Sequence, residues 1–136
     1  MRELEVSLDI SSGSRRLTDL VRLAGVEPAE GSHDLHDRRS KAKRWDSARL
    51  RVPSPLLAAE TPIEEHIDAL LRLVPDIQPA VDICFTLTIA MFSDLIPVSL
   101  MIDAPHMKAI SGRGWELEMV AYSPFTGSPR SFTKVD

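Results

Sequence analysis

ELEVSLDI, residues 3–10, alternates without a break. Leu4, Val6, Leu8 and Ile10 fall on one side, and Glu3, Glu5, Ser7 and Asp9 fall on the other. A period of two belongs to a β-strand with one face in a core and one in water. A sheet of that kind needs cover on its apolar face only. The remaining apolar periodicity of the chain should therefore come from helices packed on that side.

Working outward, SSGS at residues 11–14 breaks the strand. The period then changes: Leu17, Leu20, Val21 and Ala24 have helical spacing, and Gly25 supplies the stop. Residues 26–44 are charged and aperiodic and read as a long loop. Alternation resumes at Trp45, with Ala48, Leu50 and Val52 on one face and Ser47, Arg49 and Arg51 on the other. Thr61-Pro62-Ile63-Glu64 resembles a capping box, and Ile63, Ile67, Leu70, Leu71 and Val74 form the stripe of the helix that follows.

ICFTLTIAMF, residues 83–92, is β-branched and apolar on both sides and predicts a central strand. VSLMID, residues 98–103, predicts another short strand. A helix should run from Pro105 to Ile110, ahead of Gly112 and Gly114. WELEMVAY, residues 115–122, predicts the last strand, with Trp115, Leu117, Met119 and Ala121 on one side. The order is β-α-β-α-β-β-α-β. It implies an α+β two-layer sandwich: about five strands in a mixed sheet and three helices on one face. Residues 1–122 form one domain, and the Ser-, Pro- and Gly-rich residues 123–136 predict a flexible tail.

The totals fit this picture. A chain of 136 residues with 43% hydrophobic and 26% charged residues has the composition of a globular domain large enough to bury a core. The net charge of −4 makes nucleic acid a less natural partner than protein. Cys84 is the single cysteine, which excludes an internal disulfide and a Cys-based zinc site. It reads as a small buried hydrophobe at the start of a central strand. The alternating N-terminus is unlike a signal peptide, and no apolar run approaches the length of a membrane span. A cytoplasmic location with no membrane association follows as an expectation.

Several of these segments together resemble a known family. They are LTDLVRLAGVEPAEG at residues 17–31, Trp45 after a basic loop, IEEHIDALLRLVP at residues 63–75, and GWELEMVAY at residues 114–122 behind a short helix. In order and spacing they are similar to the bacterial family labelled domain of unknown function 4279, across residues 4–122. The departure is at Val120 and Ala121, where an acidic residue is common in that family. The resemblance implies a small α+β domain and no activity, so it transfers no catalytic residue.

HDLHDRRSKAKRW, residues 33–45, holds the densest chemistry. His33, Asp34, His36 and Asp37 are metal-ligand types, but the two histidines lack helical i, i+4 spacing and have no further histidine close in sequence. Seven of the 16 Lys and Arg residues fall between 38 and 51: Arg38, Arg39, Lys41, Lys43, Arg44, Arg49 and Arg51. Phosphates could follow such a run with Trp45 stacked on a base. The plainer reading is a solvated loop entering a strand whose arginines meet carboxylates on neighbouring strands. Glu64, Glu65 and His66 lack the second histidine of a zincin helix, and no nucleophile elbow or phosphate-cradling loop is present.

No residue is therefore assigned as catalytic, cofactor-binding or metal-ligating, and no cofactor is expected. The expected function is non-enzymatic: a protein-interaction module of immunity or regulatory type, engaging a partner protein or forming a homodimer. The candidate contact residues are Arg38, Arg39, Lys41, Lys43, Arg44, Trp45, Arg49 and Arg51. A nucleic-acid-associated protein using the same patch is the alternative, and an enzyme of unrecognised type the third reading.

Overall fold

The structure, a computed structural model, describes residues 2–41, 43–56, 61–93, 100–122 and 129–135. For residues 2, 3, 93 and 129–135 it describes the backbone alone. The elements in chain order are β1 (Arg2–Ser12), α1 (Leu17–Ala24), β2 (Ala48–Pro53), α2 (Ile63–Leu73), β3 (Cys84–Ser93), α3 (Ala104–Gly112), β4 (Glu116–Tyr122) and β5 (Pro129–Val135). The fold is α+β, with three helices and a single mixed sheet.

Strands β2-β1-β3-β4 lie side by side, and the backbone of β5 continues the sheet beyond β4. Only β3 and β4 are parallel. Parallel neighbours need a crossover, and α3 supplies it. The register keeps one face apolar throughout. Ile10 sits opposite Leu50 and Phe85, Leu8 opposite Val52 and Leu87, and Leu87 opposite Leu117. These side chains form one cluster with Leu20 and Ala24 of α1, Ile63, Ile67 and Leu70 of α2, and Ile110 of α3. Alternation at residues 3–10 thus does what its period requires: one face meets all three helices.

Two expectations about the elements need correction. Residues 98 and 99 of the expected VSLMID strand lie outside the described residues, and Leu100–Asp103 is not strand. Asp103 instead caps α3, its carboxylate accepting the His106 N–H at 2.9 Å. A capping residue must leave the helix, and a Pro inside the first turn fixes where the helix starts. The strand after β4 comes from residues 129–135, within the segment whose composition predicts a tail. Tyr122 pairs with Pro129 and Leu117 with Val135. An unpaired β4 edge offers backbone partners that composition does not register.

The helix ends are satisfied from outside the helices. α2 begins at Ile63 with Pro62 as its cap residue, one position later than the capping-box pattern implies. Its C-terminal carbonyls of Leu71 and Val74 accept hydrogen bonds from Arg113, at 2.8 and 2.9 Å. Among the described residues, no helix is long and apolar enough to cross a membrane.

Candidate functional site

The segment from Gly31 to Ser47 is anchored to the body at three places. His33 and Arg49 exchange both backbone hydrogen bonds, at 2.9 and 2.8 Å, and the Arg51 N–H donates to Ser32 Oγ at 2.9 Å. These bonds occupy the outer edge of β2, an edge that would otherwise be open. Asp34 then reaches α1. Its carboxylate accepts from Arg16 Nη2 at 2.8 Å and from the Leu17 N–H at 2.9 Å. The Arg16 hydrogen bonds hold the Asp34 carboxyl well below its ordinary range. The Asp34 N–H in turn donates to Asp37 Oδ2 at 2.8 Å.

Past this anchor the chain folds into an irregular hairpin. The His36 N–H donates to the Trp45 carbonyl at 2.8 Å, and the Trp45 N–H donates to the Asp37 carbonyl at 2.8 Å. Arg38 bridges Arg44, and the Arg39 N–H donates to the Lys43 carbonyl at 3.0 Å. His36 takes a left-handed φ of 68° to make the turn. The Trp45 ring stacks on His33 with centroids 3.8 Å apart, and the Arg39 guanidinium lies over the same ring at 4.7 Å. Trp45 is thus half-buried in local contacts and is absent from the main core.

The eight expected contact residues therefore separate into two groups. Arg38, Arg39, Lys41, Lys43 and Arg44 are exposed on the hairpin. Among the described residues none of them is in an ion pair; the paired cations are Arg15, Arg16, Arg22, His106 and Arg113. Arg44 donates instead to the His36 carbonyl at 3.0 Å. Of this group, Arg39 lies over the Trp45 ring. Arg49 and Arg51 belong elsewhere, half-buried on the polar face of the sheet. Arg49 donates to the Gly31 carbonyl at 3.0 Å, and Arg51 sits opposite Asp9. Burial raises the Asp9 pKa, against the pull of Arg49 and Arg51. Glu116 and Glu118 pair with Thr86 and Thr88 of β3, so two strands, β1 and β3, separate them from the basic strand.

Three of the four potential metal ligands make other contacts. His33 is stacked on Trp45, Asp34 holds α1, and Asp37 closes the turn. Cys84 is exposed, contrary to its reading as a buried residue. Phe85, Leu87, Ile89 and Met91 point to the core, so the parity of the strand turns residue 84 outward.

Two histidines gain roles that the sequence patterns left unassigned. His106 Nδ1 lies 2.5 Å from Asp103 and its Nε2 2.9 Å from Asp68, which joins α3 to α2. Asp103 first and Asp68 next raise its pKa. His66 is 1% exposed, and its Nδ1 lies 2.6 Å from Ser54 Oγ. Burial lowers its pKa. The available signal was its position: residue 66 falls between Ile63 and Leu70 on the apolar stripe.

Comparison of the chain with protein-family models, with curated proteins and with solved structures gives no match.

Proposed function

We propose that this protein is a non-catalytic interaction module that binds an acidic surface of a partner protein through the hairpin of residues 38–44. The observation that carries the reading is the set of five exposed cations on one anchored hairpin, none of them in a described ion pair. Anchoring lowers the entropy lost on binding, and unpaired surface cations steer an oppositely charged partner. A regulatory or immunity role in the cytoplasm, the kinship with the resembled bacterial family, and engagement of a second copy of the chain belong to the same proposal. The chain's own net charge of −4 is compatible with self-association through a basic hairpin and an acidic face.

Nucleic acid is the competing occupant, favoured by cation density alone. It is disfavoured by Trp45, whose ring His33 and Arg39 already engage, since a stacking platform needs a free aromatic face.

Fluorescence anisotropy with a labelled oligoglutamate peptide, a single-stranded and a duplex oligonucleotide tests the choice. Oligoglutamate should bind at low salt, weaken as salt rises, and lose affinity in a K41E/K43E variant. Absence of binding at low salt sinks the proposal. Tighter, steeply salt-dependent binding of either oligonucleotide transfers the site to nucleic acid.

A further inference from the structure

A second site lies away from the hairpin tip and does not depend on that reading. A cavity of about 540 Å³ opens where β2 ends, bounded by Glu5, Glu30, Gly31, Arg51, Ser54 and His66 among others. Small-molecule sites commonly have volumes of roughly 300–1,000 Å³.

The Ser54–His66 pair has one proton too many for its partners. Burial lowers the His66 pKa below its ordinary 6.5, which favours the neutral imidazole with one N–H, and the serine carries one O–H. One of those hydrogens makes the 2.6 Å bond between Oγ and Nδ1. The other is left over in either tautomer. If Ser54 donates to Nδ1, the spare donor is Nε2–H, and Nε2 is buried with no partner among the described residues. If Nδ1–H donates, Ser54 Oγ accepts from it and from the Leu56 N–H at 3.3 Å. The serine hydrogen is then spare, on a residue of the cavity wall. Nε2 is too buried to meet a ligand, whereas the half-exposed Ser54 hydroxyl can offer its hydrogen to an acceptor in the cavity while keeping the imidazole contact.

Arg51 points to the charge of that acceptor. Among the described residues its guanidinium has no ion pair or hydrogen bond. Its stem is held close over Gly31, where an added methyl group would lie 2.9 Å from Cδ. A guanidinium and a hydroxyl together suit a carboxylate. A plain anion, however, would also meet Glu5 and Glu30, two exposed carboxylates against one cation. An ammonium group on the same ligand removes that conflict.

We infer that the cavity binds a small zwitterion of the amino-acid class, its carboxylate on Arg51 and the Ser54–His66 pair and its ammonium toward Glu5 and Glu30. Calorimetric melting and titration of the full chain with each common L-amino acid test this, with acetate and ethylammonium as single-charge controls. At least one amino acid should raise Tm in a dose-dependent way, and neither control should. That amino acid should shift the ¹⁵N resonances of the His66 ring in the wild-type protein. R51Q should weaken it by about tenfold or more, since a charge-assisted hydrogen bond is lost, and S54A should weaken it too. The inference is overturned if no amino acid binds at millimolar concentration or if acetate alone binds as well. It is equally overturned if binding leaves the His66 resonances unmoved or survives unchanged in R51Q and S54A.

Discussion

The Asp34 carboxylate accepts the backbone N–H of Leu17 at 2.9 Å, so a residue of the long loop caps a helix that precedes it in the chain. Helix α1 has no side-chain cap of its own at Arg16. One carboxylate therefore satisfies the helix start, holds the Arg16 guanidinium and fixes the base of the basic hairpin.

Removing it should be felt as a lost cap. Asp34→Ala is expected to cost about 1–2 kcal/mol, the scale of an N-cap deletion, while Asp34→Asn should keep part of that as a neutral acceptor. Urea unfolding of the two variants checks the order. Because the folded pKa of Asp34 is depressed, its contribution is present above the ordinary value of 3.8 and is lost as pH falls below it. Equal stability of Asp34→Ala and wild type at neutral pH would remove the cap argument.

The two tryptophans should behave differently. Trp115 is 4% exposed within the core cluster, and Trp115→Ala should cost about 3–5 kcal/mol. Trp45 is half-buried against His33 and Arg39, so Trp45→Ala should cost only about 1–2 kcal/mol. Guanidinium denaturation of both variants measures the gap; a larger loss at Trp45 would contradict its local role.

His106 predicts a pH effect of defined sign. Its folded pKa is raised, so its contribution is full below the ordinary value of 6.5 and disappears as pH rises through the folded value. His33 and His66 have lowered pKa values and act in the opposite sense, withdrawing stability as pH falls below 6.5. Calorimetric melting across a pH series should therefore show His106→Gln losing the wild-type decline on the alkaline side while keeping the decline on the acid side. A His106→Gln profile parallel to wild type on the alkaline side would refute the assignment.

Gly31 has φ of 94° and lies against the Arg51 stem. Gly31→Ala should cost about 1–3 kcal/mol from the left-handed backbone, and the added methyl group should also displace the Arg51 side chain. Thermal unfolding reads the first effect. A neutral result would show that the turn relaxes without strain.

Much of the architecture was legible because it rests on period. Alternation in residues 3–10 and 48–52, and helical stripes through Leu20 and Ile67, are properties of single segments, and burial follows them. The fifth strand was not legible. Residues 98–103 have strand composition, but Asp103 and Pro105 favour a helix start there, and the partner of β4 comes from residues of turn-like composition. Of the candidate contact residues, the cations 38–44 read directly as solvated charge. That Arg49 and Arg51 part from them depended on which strand lies beside β2.

By itself, then, the sequence determined which segments are strands or helices for most of the chain, which side of each is apolar, and where positive charge is dense. These follow from neighbours a few residues apart. Tertiary structure alone decided that Asp34 caps α1, that His33 and Arg39 take up the Trp45 ring, and that Ser54 meets His66 beside Arg51. The Asp34 and Ser54 contacts join different segments of the chain, with distances set by how the sheet and helices pack, and the Trp45 contacts are set by the fold of the irregular hairpin rather than by any periodic pattern.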